Sequence, residues 1–282
     1  IPERAEEGYG LSVKGIENLL KKYPETKLII TVDNGIVANE AVDFANKLNI
    51  EVIITDHHTP PATLPKSYAL IHSVKVCGAA VAYVFANELF DIPDSYLELV
   101  ALATVTDVMT LTDYNRILLI FGLKKLRKTQ RIGLLKLIES TKIEKEQIGV
   151  YEIGNIIGPR INAMGRIGSG MDSLRLICTT SDKRAEELAN LLNVTNGQRQ
   201  QMTFESVDHA REKSSNKNKI IVLADESYNQ GIVGLISGRI TEEFYRPSVV
   251  IAKENEVSKG SARSVKGVNI VELLREVKDL LV

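Results

Sequence analysis

Residues 27–58 read KLIITVDNGIVANEAVDFANKLNIEVIITDHH. Two apolar runs of strand length, KLIITV and EVIIT, are each followed at once by an aspartate, Asp33 and Asp56. Between them Ile36, Val37, Val42, Ala45 and Leu48 approximate the apolar stripe of an amphipathic helix. Strand, helix and strand in that order build a parallel sheet by a right-handed crossover. In open sheets of this kind ligands gather beyond the carboxyl ends of the strands, which is where Asp33, Asp56, His57 and His58 fall. The spacing therefore predicts an α/β domain with its site at that end of the sheet.

Working outward, SYALIHS (67–73) is a third strand candidate, and GAAVAYVFANELF and SYLELVALATVT read as helices. The second of them delivers Asp107 in the segment ATVTDVMTL. From about Asn115 the composition changes to a helical, basic stretch with Arg116, Lys124, Lys125, Arg127, Lys128, Arg131 and Lys136. Residues 182–213 read as one long or once-broken helix, too polar on most faces for a core element and suited to a connector. KSSNKNK (213–219) is a polar boundary, after which KIIVLAD, GIVGLISGRITEEF, SVVIAK and GVNIVELLREV resume the alternation of strand and helix. The predicted organisation is an α/β domain over 1–126, a helical connector over 127–215 and a smaller α/β domain over 216–282.

Bulk properties exclude several classes. With 282 residues, 44% hydrophobic and 25% charged, the chain can bury two cores. No run of about 18 apolar residues could span a bilayer, and nothing resembles a signal peptide, so a cytoplasmic location is expected. The formal net charge of -1 argues against coating nucleic acid by bulk electrostatics and leaves room for a local basic groove. Cys77 and Cys178 lack zinc-site spacing, and both are expected to be packed thiols.

The chemistry concentrates in Asp33, Asp56, His57 and Asp107. Taken singly, each aspartate reads as a turn or cap residue: Asp33 opens an Asp-Asn-Gly turn, and Asp56 caps the following loop. Taken together, three carboxylates and an imidazole at the ends of adjacent elements repel one another unless a cation joins them. An oxygen-rich set with one nitrogen suits Mn²⁺ or Mg²⁺. His72 and His209 have no acidic neighbour in a motif and read as structural.

These motifs resemble the DHH phosphoesterase family: the Asp56-His57-His58 triplet, preceded by VDNG and followed by ATVTDVMTL. The order of IPERAEEGYGLS (1–12), TDHHTPPATLP, GPRINAMGR (158–166), YRPSVVIA and KGSARS (259–264) is similar to the RecJ-type single-strand-specific exonucleases within it. The resemblance implies a parallel-sheet domain and a smaller DHH-associated α/β domain, joined by a long helical connector, with single-stranded DNA admitted between them. It implies two divalent metal ions, Mn²⁺ or Mg²⁺, held by Asp33, His57 and Asp107. Asp56 and His58 would orient the ligands or face the phosphate, and Arg160 and Arg166 would act on the scissile region, all four counted as catalytic. Arg4, Asn162, Gly260, Ser261, Arg263 and Ser264 would bind substrate, the last four at the 5′ end of the strand. Implied partners are single-stranded DNA and a single-stranded-DNA-binding protein or helicase, in DNA repair and recombination.

The sequence also departs from the resemblance. The family's upstream aspartate-rich motif and its C-terminal glycine-glycine-histidine motif have no counterpart, so the chain is expected to be a fragment, inactive alone. YNQGIVG (228–234) replaces a commonly acidic segment, and the loop after the triplet is short. The alternatives are a nanoRNase or cyclic-dinucleotide phosphodiesterase of the same superfamily, or a catalytically inactive replication scaffold.

Overall fold

The computed structural model describes residues 1, 8, 10–214, 218–255 and 257–280. By internal contacts the chain divides into two compact units. One is formed by residues 1–161 with 170–190, the other by 162–169 with 191–282.

In the first unit, β1 (Leu28–Val32), β2 (Glu51–Asp56) and β3 (Ala69–His72) form a parallel sheet in the order β1-β2-β3. Leu28 pairs with Glu51 at one end, and Asp56 with His72 at the other. β2 lies between the other two strands, which explains its near-continuous apolar run: Val52 and Ile54 are buried on one face and Thr55 on the other. Before the sheet, α1 (Val13–Lys22) starts at Ser12, whose hydroxyl accepts from the Gly15 N–H. α2 (Asn39–Lys47) is the crossover helix, and it buries Ala41, Val42 and Ala45 with Ile16, Val52 and Ile54.

α3 (Gly78–Leu89) follows β3, then α4 (Leu97–Thr106), which is apolar on all sides because most of its residues are covered. Next come α5 (Asp113–Leu126) and α6 (Ile132–Thr141), separated by the residues 127–131. Gly122 of α5 lets the α4 backbone approach, since a Cβ there would collide with the Leu97 carbonyl. α7 (Val150–Glu152) runs through a π turn (Ile153–Ile157) into α8 (Gly158–Ile167). Pro159 has no N–H to give to the preceding turn, a common setting for such an irregularity. α9 (Gly170–Cys178) and α10 (Asp182–Lys213) come next. α10 is a single helix of 32 residues, and its polarity conceals a core role. Ala185, Leu188 and Leu192 are buried in its first half, Val207 and Ala210 in its second, correcting the reading of 182–213 as too polar for a core element.

In the second unit, β4 (Ile221–Asp225) pairs in parallel with β5 (Ser248–Ala252), and β5 in antiparallel with β6 (Lys259–Arg263). α11 (Val233–Phe244) crosses between β4 and β5, and α12 (Ile270–Glu276) follows β6. Ile221, Leu223, Ile232, Ile236, Ile240 and Val250 form its core with Val207 and Ala210 of α10. Of the two thiols only Cys77 is packed; Cys178, at the end of α9, is exposed, against the expectation for both. No described helix is long and apolar enough to cross a membrane.

Candidate metal centre

β1 and β2 end side by side, and the chain turns sharply after each. Asp33 takes a left-handed backbone conformation (φ 64°), which a carboxylate residue tolerates better than most, and its N–H donates to the Thr55 carbonyl. The turn is held by the Thr31 hydroxyl, which donates to the Asn34 carbonyl at 2.6 Å, and by Gly35 at φ 113°. Asp56, the last residue of β2, is buried. Its Oδ2 accepts from the Ile36 N–H at 2.9 Å, and its Oδ1 from the N–H groups of His57 (2.7 Å) and His58 (3.2 Å). The same Oδ1 accepts from His58 Nδ1 at 2.7 Å.

This pattern sorts the triplet into roles. Burial pushes the Asp56 carboxyl up, but its bonds from His58, Ile36 and His57 outweigh that and hold it below the usual carboxylate range. An ionised Asp56 makes Nδ1–H the donor in His58 and turns Nε2 outward. Burial lowers the His58 pKa, and the Asp56 bond with the charges of Asp56, Asp33 and Asp107 raises it more, for a net rise. His57 points the other way. Its Nε2 lies 3.1 Å from Asp33 Oδ1 and 3.3 Å from Asp107 Oδ2.

Asp107 arrives from α4, where it is the C-cap residue. A carboxylate at that end meets the negative pole of the helix, an unfavourable position that a cation would relieve. The next residue, Val108, is β-branched yet sits at φ 55° and is 88% exposed, so the backbone is strained just where it presents Asp107. Asp33 is cradled by the start of α3, for a Cβ on Gly78 would collide with Asp33 Oδ1. More than half of the Asp33 side chain surface is accessible, yet the protein packed around the carboxyl group raises its pKa. The charges of Asp107 and Asp56 add to the rise, and those of His57 and His58 oppose it.

The donor set fits a divalent cation. Carboxylate oxygens of Asp33 and Asp107 each approach the ring nitrogen of His57, and oxygen with few nitrogen ligands suits Mn²⁺ or Mg²⁺, although Asp107 lies outside the tightest set of ligand atoms. His58 also offers a ligand atom: those of Asp33, His57 and His58 all lie within 4.8 Å of one another. Sequence reasoning missed two supports. His72 Nε2 donates to the His58 carbonyl at 2.7 Å, and Gly78 makes room for Asp33; in sequence one is a lone histidine and the other the start of an alanine-rich helix.

Arg160 lies two residues beyond Gly158, and a Cβ on Gly158 would collide with Thr106 Cγ2. The helix carrying Arg160 thus starts against the residue before Asp107. Burial lowers the Arg160 pKa, and its Nη1 donates to the Ile156 carbonyl at 2.6 Å. In the second unit Arg166 Nη1 donates to the Gly231 carbonyl at 3.3 Å, and Asn162 is exposed. Gly260, Ser261 and Arg263 belong to β6, beside the start of α11. A Cβ on Gly234 would lie 3.1 Å from Ser261 Oγ and 3.9 Å from Arg263 Nη2. Ser264 is committed elsewhere, its hydroxyl donating to the Val268 carbonyl at 2.7 Å. Arg4 lies outside the described residues.

Comparison with known proteins adds the following. Residues 2–104 match the N-terminal domain of the DHH family, and residues 217–281 match the DHHA1 domain. The single-stranded-DNA-specific exonuclease RecJ of Bacillus subtilis (strain 168) is 35% identical over the whole of this chain, which spans 37% of that protein's length. A solved structure of exonuclease RecJ bound to manganese matches all of this chain and 74% of its own, at 32% identity and a TM-score of 0.85. RecJ of Thermus thermophilus in complex with Mn²⁺ matches 95% of this chain and 42% of its own, at 30% identity and the same TM-score.

Proposed function

The chain belongs to the RecJ branch of the DHH family, and on that premise we propose that its protein is a divalent-metal-dependent exonuclease that hydrolyses single-stranded DNA from the 5′ end, releasing mononucleotides. The observation that carries this reading is the approach of Asp33 Oδ1 and Asp107 Oδ2 to His57 Nε2 at 3.1 and 3.3 Å. The single-stranded-DNA-specific exonuclease activity of the relatives supports the substrate, and the manganese in the solved relatives supports the metal.

Asp33, His57 and Asp107 would hold the metal, with His58 Nε2 as a further donor toward the same space. Two Mn²⁺ or Mg²⁺ ions, when bound, supply Lewis-acid neutralisation of the phosphodiester and a water acidic enough to attack it. Asp56 touches no substrate in this scheme. It fixes the ring of His58 and the backbone of the triplet, so that both imidazoles keep their directions. His58, its Nδ1–H held by Asp56, keeps Nε2 turned toward that space, as a metal ligand or, when protonated, as a donor to a phosphate oxygen or to the departing 3′ oxygen. Arg160 and Arg166 supply planar donors that match phosphate oxygens. Ser261 and Arg263, beside the first turn of α11, receive the 5′-terminal phosphate. A helicase or single-stranded-DNA-binding protein as supplier of strands belongs to the same proposal.

The test is digestion of uniformly labelled single strands by the natural protein that carries these residues. Mononucleotide release in Mn²⁺, its loss in EDTA and protection of the strand by a blocked 5′ end are the expected results. Release from the 3′ end, or cleavage unaffected by EDTA, would end the proposal.

A further inference from the structure

YNQGIVG (228–234), which replaces a commonly acidic segment, lies between β4 and the body of α11 and touches both groups of phosphate donors in the second unit. A Cβ on Gly231 would collide with the backbone carbonyl of Arg166, and the Gly231 carbonyl accepts from Arg166 Nη1 at 3.3 Å. Arg166 is thus seated on Gly231 by its backbone and by its guanidinium. Three residues further on, a Cβ on Gly234 would lie 3.1 Å from Ser261 Oγ and 3.9 Å from Arg263 Nη2. A single short segment therefore lies against both groups.

That segment is anchored at each end. Tyr228, Ile232 and Val233 are buried in the core of the second unit, against which Ile167, the neighbour of Arg166, also packs. The Tyr228 ring meets His209 of α10 edge-on, with centroids 5.5 Å apart. Between these anchors Asn229 Oδ1 accepts from the Gly231 N–H at 2.8 Å, and the Asn229 carbonyl accepts from the Ile232 N–H at 3.0 Å. This is the side-chain-closed turn that asparagine favours. Neither Gly231 nor Gly234 has a positive φ, so the backbone conformation does not demand glycine there. The space taken by Arg166 and by Ser261 does. Being three residues apart, the two glycines have Cα atoms separated by at most about 11 Å, a span that suits neighbouring phosphates of one strand.

We propose that residues 228–234 set the one-nucleotide step of the enzyme, with Gly231 and Gly234 as positioning residues that hold Arg166, at the scissile phosphate, a fixed distance from Ser261 and Arg263, at the terminal one. This role rests on the exonuclease reading above for its substrate, but the spacing can be measured without turnover.

The experiment is calorimetric titration, in EDTA, of the natural protein that carries these residues. The probes are a thymidine dinucleotide with a 5′-phosphate, the same dinucleotide with a 5′-hydroxyl, and thymidine 5′-monophosphate. The first carries both phosphates and should bind at least tenfold more tightly than either of the others. Gly231→Ala should erase its advantage over the monophosphate and keep its advantage over the 5′-hydroxyl form; Gly234→Val should do the reverse. Gly238→Ala, at an open position of α11, should change neither. In an Arg166→Ala background, Gly231→Ala should cost nothing further, because its effect runs through that arginine. If Gly231→Ala lowers the unfolding midpoint, Asn229→Ala, which frees the turn without adding a methyl group at Gly231, should show the same selective loss. With Mn²⁺ present, Gly231→Ala should release dinucleotides among the mononucleotides. The spacer role is overturned if the wild type binds the three probes alike, if both glycine variants weaken all three equally, or if Gly231→Ala costs as much without Arg166 as with it. The selective losses in EDTA, found together with no digestion by the wild type in Mn²⁺, would support the spacer and count against the exonuclease reading alone.

Discussion

Asp56 is the residue on which the site's geometry turns. It accepts hydrogen bonds from three backbone N–H groups and one imidazole while buried. An amide in its place can accept through one oxygen only, so Asp56→Asn should cost about 1–3 kcal/mol in urea unfolding and weaken Mn²⁺ binding about tenfold to a hundredfold. Asp107 should behave in the opposite sense. Its carboxylate stands at a helix C-terminus, so Asp107→Asn should leave the metal-free protein as stable or about 0.3–1 kcal/mol more stable, while abolishing Mn²⁺ binding. The Asp56–His58 pair also sets a pH window. The pKa of Asp56 is depressed, so its contribution is complete above about pH 3.9 and is lost as pH falls through the folded value; that of His58 is raised, so its share is complete below about pH 6.5 and is lost as pH rises through the folded value. The stability advantage of wild type over His58→Gln should therefore be greatest between those limits and shrink on both sides; a flat difference from pH 3 to pH 8 would contradict the pairing. Asp33, His57 and Asp107 were legible in the sequence because apolar strands and a helix end in them. The bond from His72 to the His58 carbonyl was not, because it depends on the register of β3 against β2.

Among the elements, the start of α3 decides whether Asp33 can reach the site. Gly78→Ala would press a methyl group against the Asp33 carboxylate. It should weaken Mn²⁺ binding at least tenfold and cost about 1–3 kcal/mol of stability, whereas Gly165→Ala, at a position with open space around it in the last turn of α8, should do neither. β6 with α11 is the second element at stake. If Ser261 and Arg263 take the terminal phosphate, Arg263→Ala should weaken capture of 5′-phosphorylated strands about tenfold to a hundredfold and leave metal binding unchanged, as read by comparing 5′-phosphate and 5′-hydroxyl strands. β1, β2 and the crossover helix were readable because strand and helix periods differ. The long helix α10 misled because its buried apolar residues come in two separate groups, at Ala185–Leu192 and Val207–Ala210, with polar Thr195 and Asn196 buried between them, so no single apolar stripe runs its length. KGSARS carries no apolar alternation, and its place as a strand comes from pairing with β5.

For the whole molecule, the two units have separate sheets and separate cores, and the two family domains fall on the two sheets. The alternation of strands and helices at both ends of the chain announced two sheets, whereas the polar segment 213–219 falls inside the second unit and not at its edge. The break at 161–162 and the return of 170–190 to the first unit did not show, because contacts across a helical region leave no periodic mark. The central claim is that Asp33, His57 and Asp107 hold a divalent metal, and the most direct measurement is anomalous diffraction from crystals grown in Mn²⁺. The account predicts a manganese peak within about 2.5 Å of Asp33, His57 and Asp107 side-chain ligand atoms, absent in Asp107→Ala crystals. A manganese peak bound elsewhere, with none at these three residues, would contradict it.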